Sequence, residues 1–151
     1  MKIALACDHG GFELKEAIRV YLEETGVDYK DFGTHSAEEA RDYPYASLYG
    51  CKAVQTGECD LAILVCGTGI GVSIAANKMK GIRAACCSDY YSAKYTRLHN
   101  DSNVLCLGGR VLGVGMALEM VKVFIGTQFE GGRHARRVEL IMDIQDGKIT
   151  E

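Results

Sequence analysis

The side chains with chemistry to offer fall in a few short runs: Asp8-His9-Gly10-Gly11, Cys66-Gly67-Thr68-Gly69-Ile70-Gly71, His99-Asn100, Gly108-Gly109-Arg110, and the pair Arg133 and Arg137. The second run is the densest, with three alternate glycines in the five residues after Cys66. Residues without a Cβ let a ligand approach backbone N–H groups, and the start of a following helix adds partial positive charge. Gly67–Gly71 therefore reads as a cradle for an anion, either a phosphate or a transient oxyanion. A tight strand-to-helix turn alone needs fewer glycines. At the edge of that cradle, Cys66 sits where amide donors and a helix start favour a thiolate. Such a thiolate acts as a nucleophile, or as a base that removes a carbon-bound proton. Proton abstraction beside a carbonyl creates an enediolate, which the same donors stabilise.

Spacing separates this loop from three known devices. The dinucleotide fingerprint GxGxxG needs a third glycine at position 72 or 74, where Val72 and Ile74 stand, although Asp89 lies at a suitable distance for a ribose contact. The Lys-Ser/Thr pair of a P-loop is absent. A cysteine-phosphatase loop places an arginine six residues after its cysteine, and that position is again Val72. Elsewhere, Asp8-His9 and His99-Asn100 are polar pairs that together make a general acid–base set. Arg133 and Arg137, at i and i+4, share a helix face and suit a phosphate dianion. Arg136 reads as a solvated charge, and His134 has no assigned role. Cys7, Cys51, Cys59, Cys86, Cys87 and Cys106 read as buried structural thiols.

These runs need elements to position them. Apolar stretches at Ile3–Cys7, Leu61–Cys66, Ile82–Cys87 and Val104–Leu107, with a weaker one at Val27–Phe32, predict strands of a buried parallel sheet. Leu14, Ala17, Ile18, Tyr21 and Leu22 form one apolar helix face. Helices are also expected over 43–56, 69–79, 89–98 and 114–125, and from Arg133 to Ile144 after the Gly131-Gly132 break. The alternation implies a doubly wound α/β domain: a Rossmann-like five-stranded parallel sheet in three αβα layers, with an extra C-terminal helix, over residues 1–151. In such sheets ligands bind at the carboxyl ends of the strands. Asp8, Cys66 and its glycine loop, His99 and Arg110 are all expected at that edge.

Composition excludes other classes. A net charge of −3 without a Lys/Arg block argues against nucleic-acid binding. The apolar runs are far too short to span a membrane, and the opening MKIALACDHGG turns polar too soon for a signal peptide. Seven cysteines without a CxxC spacing predict free thiols in a reducing cytoplasm and no structural zinc.

With these residues in view, the sequence resembles the ribose-5-phosphate isomerase B and galactose-6-phosphate isomerase family. The resemblance is carried by CDHGGFELK (7–15), DYP (42–44), CGTGIGVSIAANK (66–78), GIRAACC (81–87), YSAKYTRLHND (91–101), NVLCLGGRV (103–111) and FEGGRHARRV (129–138). It implies a homodimer or dimer of dimers and no metal or organic cofactor. It also implies a sugar-phosphate substrate, with Cys66 as the base moving a proton between C1 and C2. His99, helped by Asp8, opens the furanose ring. Residues Gly67, Thr68, Gly69, Ile70 and Gly71 hold the enediolate, with Thr68 relaying a proton, and His9, Asn100, Arg110, Arg133 and Arg137 bind hydroxyls and phosphate. Members with a glutamate base carry it a few residues after the loop; Val72 and Ser73 stand there, so this is the cysteine type. One departure is YPYA (43–46), a residue shorter than in many relatives, which bears on how Tyr43 meets substrate. Ribose 5-phosphate and ribulose 5-phosphate are the expected pair. A hexose 6-phosphate isomerase and a non-catalytic sugar-phosphate-binding module are the alternatives. The apolar face of the last helix, Val138, Ile141 and Met142, is expected to dock on a second subunit and carry Arg133 and Arg137 to the neighbour's Cys66 loop.

Overall fold

The computed structural model describes residues 1–149; the last two residues of the expected 1–151 span lie outside it. In chain order the elements are β1 (Lys2–Cys7), α1 (Phe12–Glu24), β2 (Asp28–Asp31), α2 (Tyr43–Gln55), β3 (Leu61–Cys66), α3 (Ile70–Ala76), β4 (Ala84–Cys86), α4 (Tyr90–Asn100), β5 (Val104–Gly108), α5 (Val114–Gly126) and α6 (Arg133–Gln145). The five strands form one sheet in the order β2-β1-β3-β5-β4, and every pairing is parallel. Helices on both faces make the αβα sandwich that the alternating pattern predicts.

Burial explains the order. β3 and β5 are buried along their whole length, and β1 in all but Lys2, so the three apolar runs take the centre. One face of the sheet packs Ile3, Leu5, Ile63, Val65, Leu105 and Leu107 against Leu14, Ile18 and Leu22 of α1 and Met120, Val121 and Phe124 of α5. The other packs Ala4, Ala6, Leu64 and Cys106 against Ala46, Cys51 and Ala53 of α2 and Val72 and Ala76 of α3. The small residues on this second face let its helices lie close to the sheet.

Two expected strands differ from the central three. β2 alternates exposed and half-buried residues and carries charges, as befits an edge. The strand expected over Ile82–Cys87 pairs only at Ala84–Cys86, on the opposite edge. There Cys86 is exposed, not buried as the apolar run predicts. An edge strand lacks a neighbour on one side, which hydropathy alone does not register. α3 is shorter than its 69–79 expectation, because Gly69 starts it in a left-handed conformation (φ 78°) and the chain leaves it in turns from Asn77. α6 packs on the C-terminal half of α4 and buries only His134 fully, leaving Leu140, Ile141 and Ile144 exposed and Val138 and Met142 half-buried. Among the described residues no helix is long and apolar enough to cross a membrane.

Candidate active site

At the carboxyl edge of the sheet, β1, β3 and β5 end side by side, with Cys7 paired to Val65 and Cys66 to Gly108. The loops beyond them interlock through the backbone. Asp8 donates its N–H to the Val65 carbonyl at 3.2 Å, Gly109 donates to the Cys66 carbonyl at 2.8 Å, and Arg110 donates to the Gly67 carbonyl at 3.0 Å. Around this frame lies a cleft of about 200 Å³ lined by Asp8, His9, Gly10, Tyr43, Cys66, Gly67, Thr68, Gly71 and Arg110.

Each side chain there has a local cause. Asp8 is buried, and its Oδ1 accepts the Gly11 N–H at 3.0 Å, capping the short 3₁₀ turn His9–Gly11 that aims His9 outward. The Cys66 side chain is 4 % exposed and its Sγ accepts the Gly69 N–H at 3.2 Å. Thus an amide of the glycine loop already points at the sulfur. Gly69 needs its positive φ and has no room for a Cβ, which would stand 2.9 Å from the Leu107 carbonyl carbon. At Gly71 a Cβ would meet the Tyr43 ring at 2.8 Å. Tyr43 therefore packs closely on the glycine and forms one wall of the cleft. Its neighbour Tyr45 points away and stacks loosely on Tyr49 at 6.4 Å. The Thr68 hydroxyl accepts the Ile70 N–H at 3.3 Å. Gly69 sits beneath the cleft, and the Ile70 side chain faces outward.

His99, Asn100, Arg133 and Arg137 are not in this cleft. The expectation that His99 joins Asp8 and Cys66 at one edge of the chain's own sheet is corrected by helix direction. α4 leaves the carboxyl end of β4 and runs back along the sheet, so its last turn, with His99 and Asn100, reaches the amino end, where β5 begins at Val104. The five residues of β5 separate the two places by about 16 Å at the usual rise of ~3.3 Å per residue.

There a second cluster forms. The His99 ring stacks on His134 with centroids 4.0 Å apart and planes within 6°. The edge of Tyr95 meets His99 at 4.9 Å, and Tyr91 stacks on Tyr95 at 4.1 Å. His99 Nε2 lies 3.6 Å from Glu130 Oε2. The Glu130 N–H donates to the Leu98 carbonyl at 3.0 Å, which fixes the Gly131-Gly132 loop against α4. Burial, together with the neighbouring His99 and Arg133, holds the His134 pKa below its ordinary value. Its Nε2 accepts from Arg133 Nε at 3.4 Å. The Arg133 and Arg137 side chains stand in solvent at the start of α6. Asp101 closes α4 in a left-handed conformation (φ 47°) and is clamped by Arg83 at 2.9 Å and Arg97 at 2.8 Å. Sequence reasoning left His134 unassigned and passed over Glu130 and Tyr95. The spacing Tyr91, Tyr95, His99 at i, i+4, i+8 is the signal that marks the ring ladder.

One half-site thus offers a thiol, amide donors, a carboxylate and a cation; the other offers imidazoles and the exposed side chains of Arg133 and Arg137. The first set matches proton transfer at a carbon beside a carbonyl, and the second matches work on hydroxyls and a phosphate. Comparison with known proteins places the whole chain in a family. The profile of the Ribose/Galactose Isomerase family matches residues 3–141. Ribose-5-phosphate isomerase B of Escherichia coli (strain K12) is 52 % identical over 144 residues, covering 95 % of this chain and 96 % of that protein. Among solved structures, ribose-5-phosphate isomerase B of Clostridium thermocellum superposes with a TM-score of 0.95 at 48 % identity, covering 99 % of this chain and 100 % of that one. The Mycoplasma genitalium ribose-5-phosphate isomerase B, solved with bound ribulose-5-phosphate, superposes with a TM-score of 0.90 at 36 % identity over 96 % of both chains. This chain belongs to the ribose/galactose isomerase family.

Proposed function

We propose that the chain is an aldose–ketose isomerase that interconverts ribose 5-phosphate and ribulose 5-phosphate through a cis-enediolate, in a C2 homodimer whose two sites are each built from both chains. The observation that carries this reading is the separation of the two half-sites by the length of the sheet. Neither is sufficient alone. In an isologous dimer each meets the other's counterpart.

Within such a site the partner's α4 and α6 present His99, Asn100, Arg133 and Arg137 to the Cys66 cleft. His99 with Asp8 moves the proton that opens the furanose ring. The Cys66 thiolate takes the proton from C2 of the aldose and returns it at C1. The N–H groups of the loop residues that line the cleft, Gly67, Thr68 and Gly71, hold the oxyanion that forms between these steps, and the Thr68 hydroxyl relays a proton between oxygens. His9, Arg110, Arg133 and Arg137 hold the phosphate, whose binding energy positions C1 and C2 over the sulfur. Tyr43 supports the sugar from the side. The chemistry is complete with side chains and needs no cofactor.

The surfaces that a dimer would cover are apolar. A groove of about 500 Å³ runs between the β4 edge and α6, with Ile82, Ala85, Ile141, Met142 and Ile144 in its walls. On α3, Ile70 and Ile74 are more than half exposed. A reducing cytoplasm suits the free thiols. The test is a side-by-side assay on ribose 5-phosphate, ribulose 5-phosphate and the 6-phosphates of allose and galactose. Preference for the pentose pair is expected, with solvent deuterium entering C1 or C2. Preference for a hexose would move the reading to the sister activity, and binding without turnover would reduce the chain to a sugar-phosphate receptor.

A further inference from the structure

The His99 cluster has a property that ring opening does not use. His99, Glu130 and His134 bring three ligand atoms within 4.8 Å of one another. Two imidazole nitrogens and a carboxylate oxygen form the donor set of a three-ligand zinc site with its fourth position open. Donors around a tetrahedral zinc stand about 3.4 Å apart, given bonds near 2.1 Å. The His99–Glu130 separation of 3.6 Å already approaches that spacing. The remaining contraction, from separations of up to 4.8 Å, takes side-chain rotation and, if His134 binds through Nε2, release of the Arg133 N–H from that nitrogen. The two rings lie parallel at 4.0 Å, so their lone pairs run side by side and must turn to converge. The backbone beneath is braced by the Glu130 N–H bond to Leu98.

Arg133 and Arg137 oppose a cation here by charge, and Glu130 offsets only part of this. That balance selects for ions that form strong bonds to imidazole nitrogen, such as Zn²⁺, over Mg²⁺ and Ca²⁺, which are held by oxygen and charge. We propose that His99, Glu130 and His134 form a binding site for a zinc-class transition-metal ion, and that an ion bound there inhibits the isomerase. A coordinated His99 nitrogen has no lone pair with which to take the proton of the anomeric hydroxyl. The site itself stands on this chain's own residues; the inhibition rests on the assignment of His99 to ring opening.

The nearest competitor for such an ion is the Cys66 thiolate, and Co²⁺ distinguishes the two. The full-length protein, stripped with a chelator, is titrated with Co²⁺ and then with Zn²⁺. One Co²⁺ per chain is expected, with visible bands of a nitrogen/oxygen site and no thiolate charge-transfer band in the near ultraviolet. The spectrum should persist in Cys66→Ser. Affinity should fall on the order of tenfold or more in both Glu130→Gln and His134→Gln. Zn²⁺ should inhibit turnover of ribose 5-phosphate, less so in Glu130→Gln measured against that variant's own uninhibited rate. A charge-transfer band that vanishes in Cys66→Ser, or binding unchanged in both cluster variants, overturns the site. Binding at the cluster with turnover untouched overturns the inhibition and removes His99 from ring opening, while leaving the metal site in place.

Discussion

Cys66 is one of seven thiols, and burial shields most of those that line no cleft. It pushes Cys7 and Cys51 up to about 12 and Cys87 up to about 11, and it holds Cys106 far above its ordinary value. Cys59 is buried as well. Cys66 is nearly as buried as these, but it lines the cleft, and Cys86 is exposed on the sheet edge, so these two face a reagent. Iodoacetamide on the native protein at pH 8 should therefore label these two, with loss of activity following Cys66. Mass spectrometry that finds Cys7 or Cys106 modified in folded protein would contradict this account. The catalytic role of Cys66 is tested separately. Cys66→Ala should lower turnover by about 10²–10⁴-fold, the usual worth of a positioned base, with sugar-phosphate binding nearly unchanged. A loss below tenfold, about 1.4 kcal/mol of barrier, would mean that another group is the base.

At the scale of elements, the turn from β3 into α3 is the most constrained piece of the site. Gly69 holds φ 78°, and a Cβ there would stand 2.9 Å from the Leu107 backbone. Gly69→Ala should cost about 1–3 kcal/mol in stability, because alanine is strained there, and should also withdraw the amide from the Cys66 sulfur. Denaturant melts and kcat together check this; an alanine variant of wild-type stability would mean the turn relaxes freely. The end of α4 is the other key element. His99 is held by Tyr95, His134 and Glu130, and its proposed task is needed only by cyclic substrates. His99→Asn should therefore impair ribose 5-phosphate more than a linear four-carbon aldose phosphate. Equal losses on both would assign His99 to the isomerisation step.

For the whole molecule, the two half-sites sit at opposite ends of one sheet and α6 leaves its apolar residues uncovered. The dimer reading makes a counting prediction. Cys66→Ala and Arg137→Ala are each expected to be inactive. In a mixed dimer one site carries both defects and the other carries neither. Random exchange of equal amounts should restore about a quarter of the wild-type sites. Exchange demonstrated by mass tagging, with no return of activity, would mean that each chain's arginines serve its own cleft.

The sequence by itself determined the three central strands, since uninterrupted apolar runs have no stable place except the middle of a sheet. It also determined the residues at their ends: a strand that stops at Cys66 before three alternate glycines must present the thiol and the amides together. Asp8, His9 and Arg110 follow by the same logic, and the structure gathers them with Tyr43 around one cleft. Hydropathy did not distinguish a short edge strand from a central one, so Cys86 was expected inside and stands outside. Only the tertiary structure decided where His99 goes. Its residue type and its place at a helix end are local facts, but the end of the sheet that it reaches depends on the crossover helix running antiparallel to its strands. Likewise the contact between Glu130, His134 and His99 arises from the packing of α6 on α4, across more than thirty positions of sequence. No local pattern carries that information, because it is set by where two amphipathic elements find each other's surfaces.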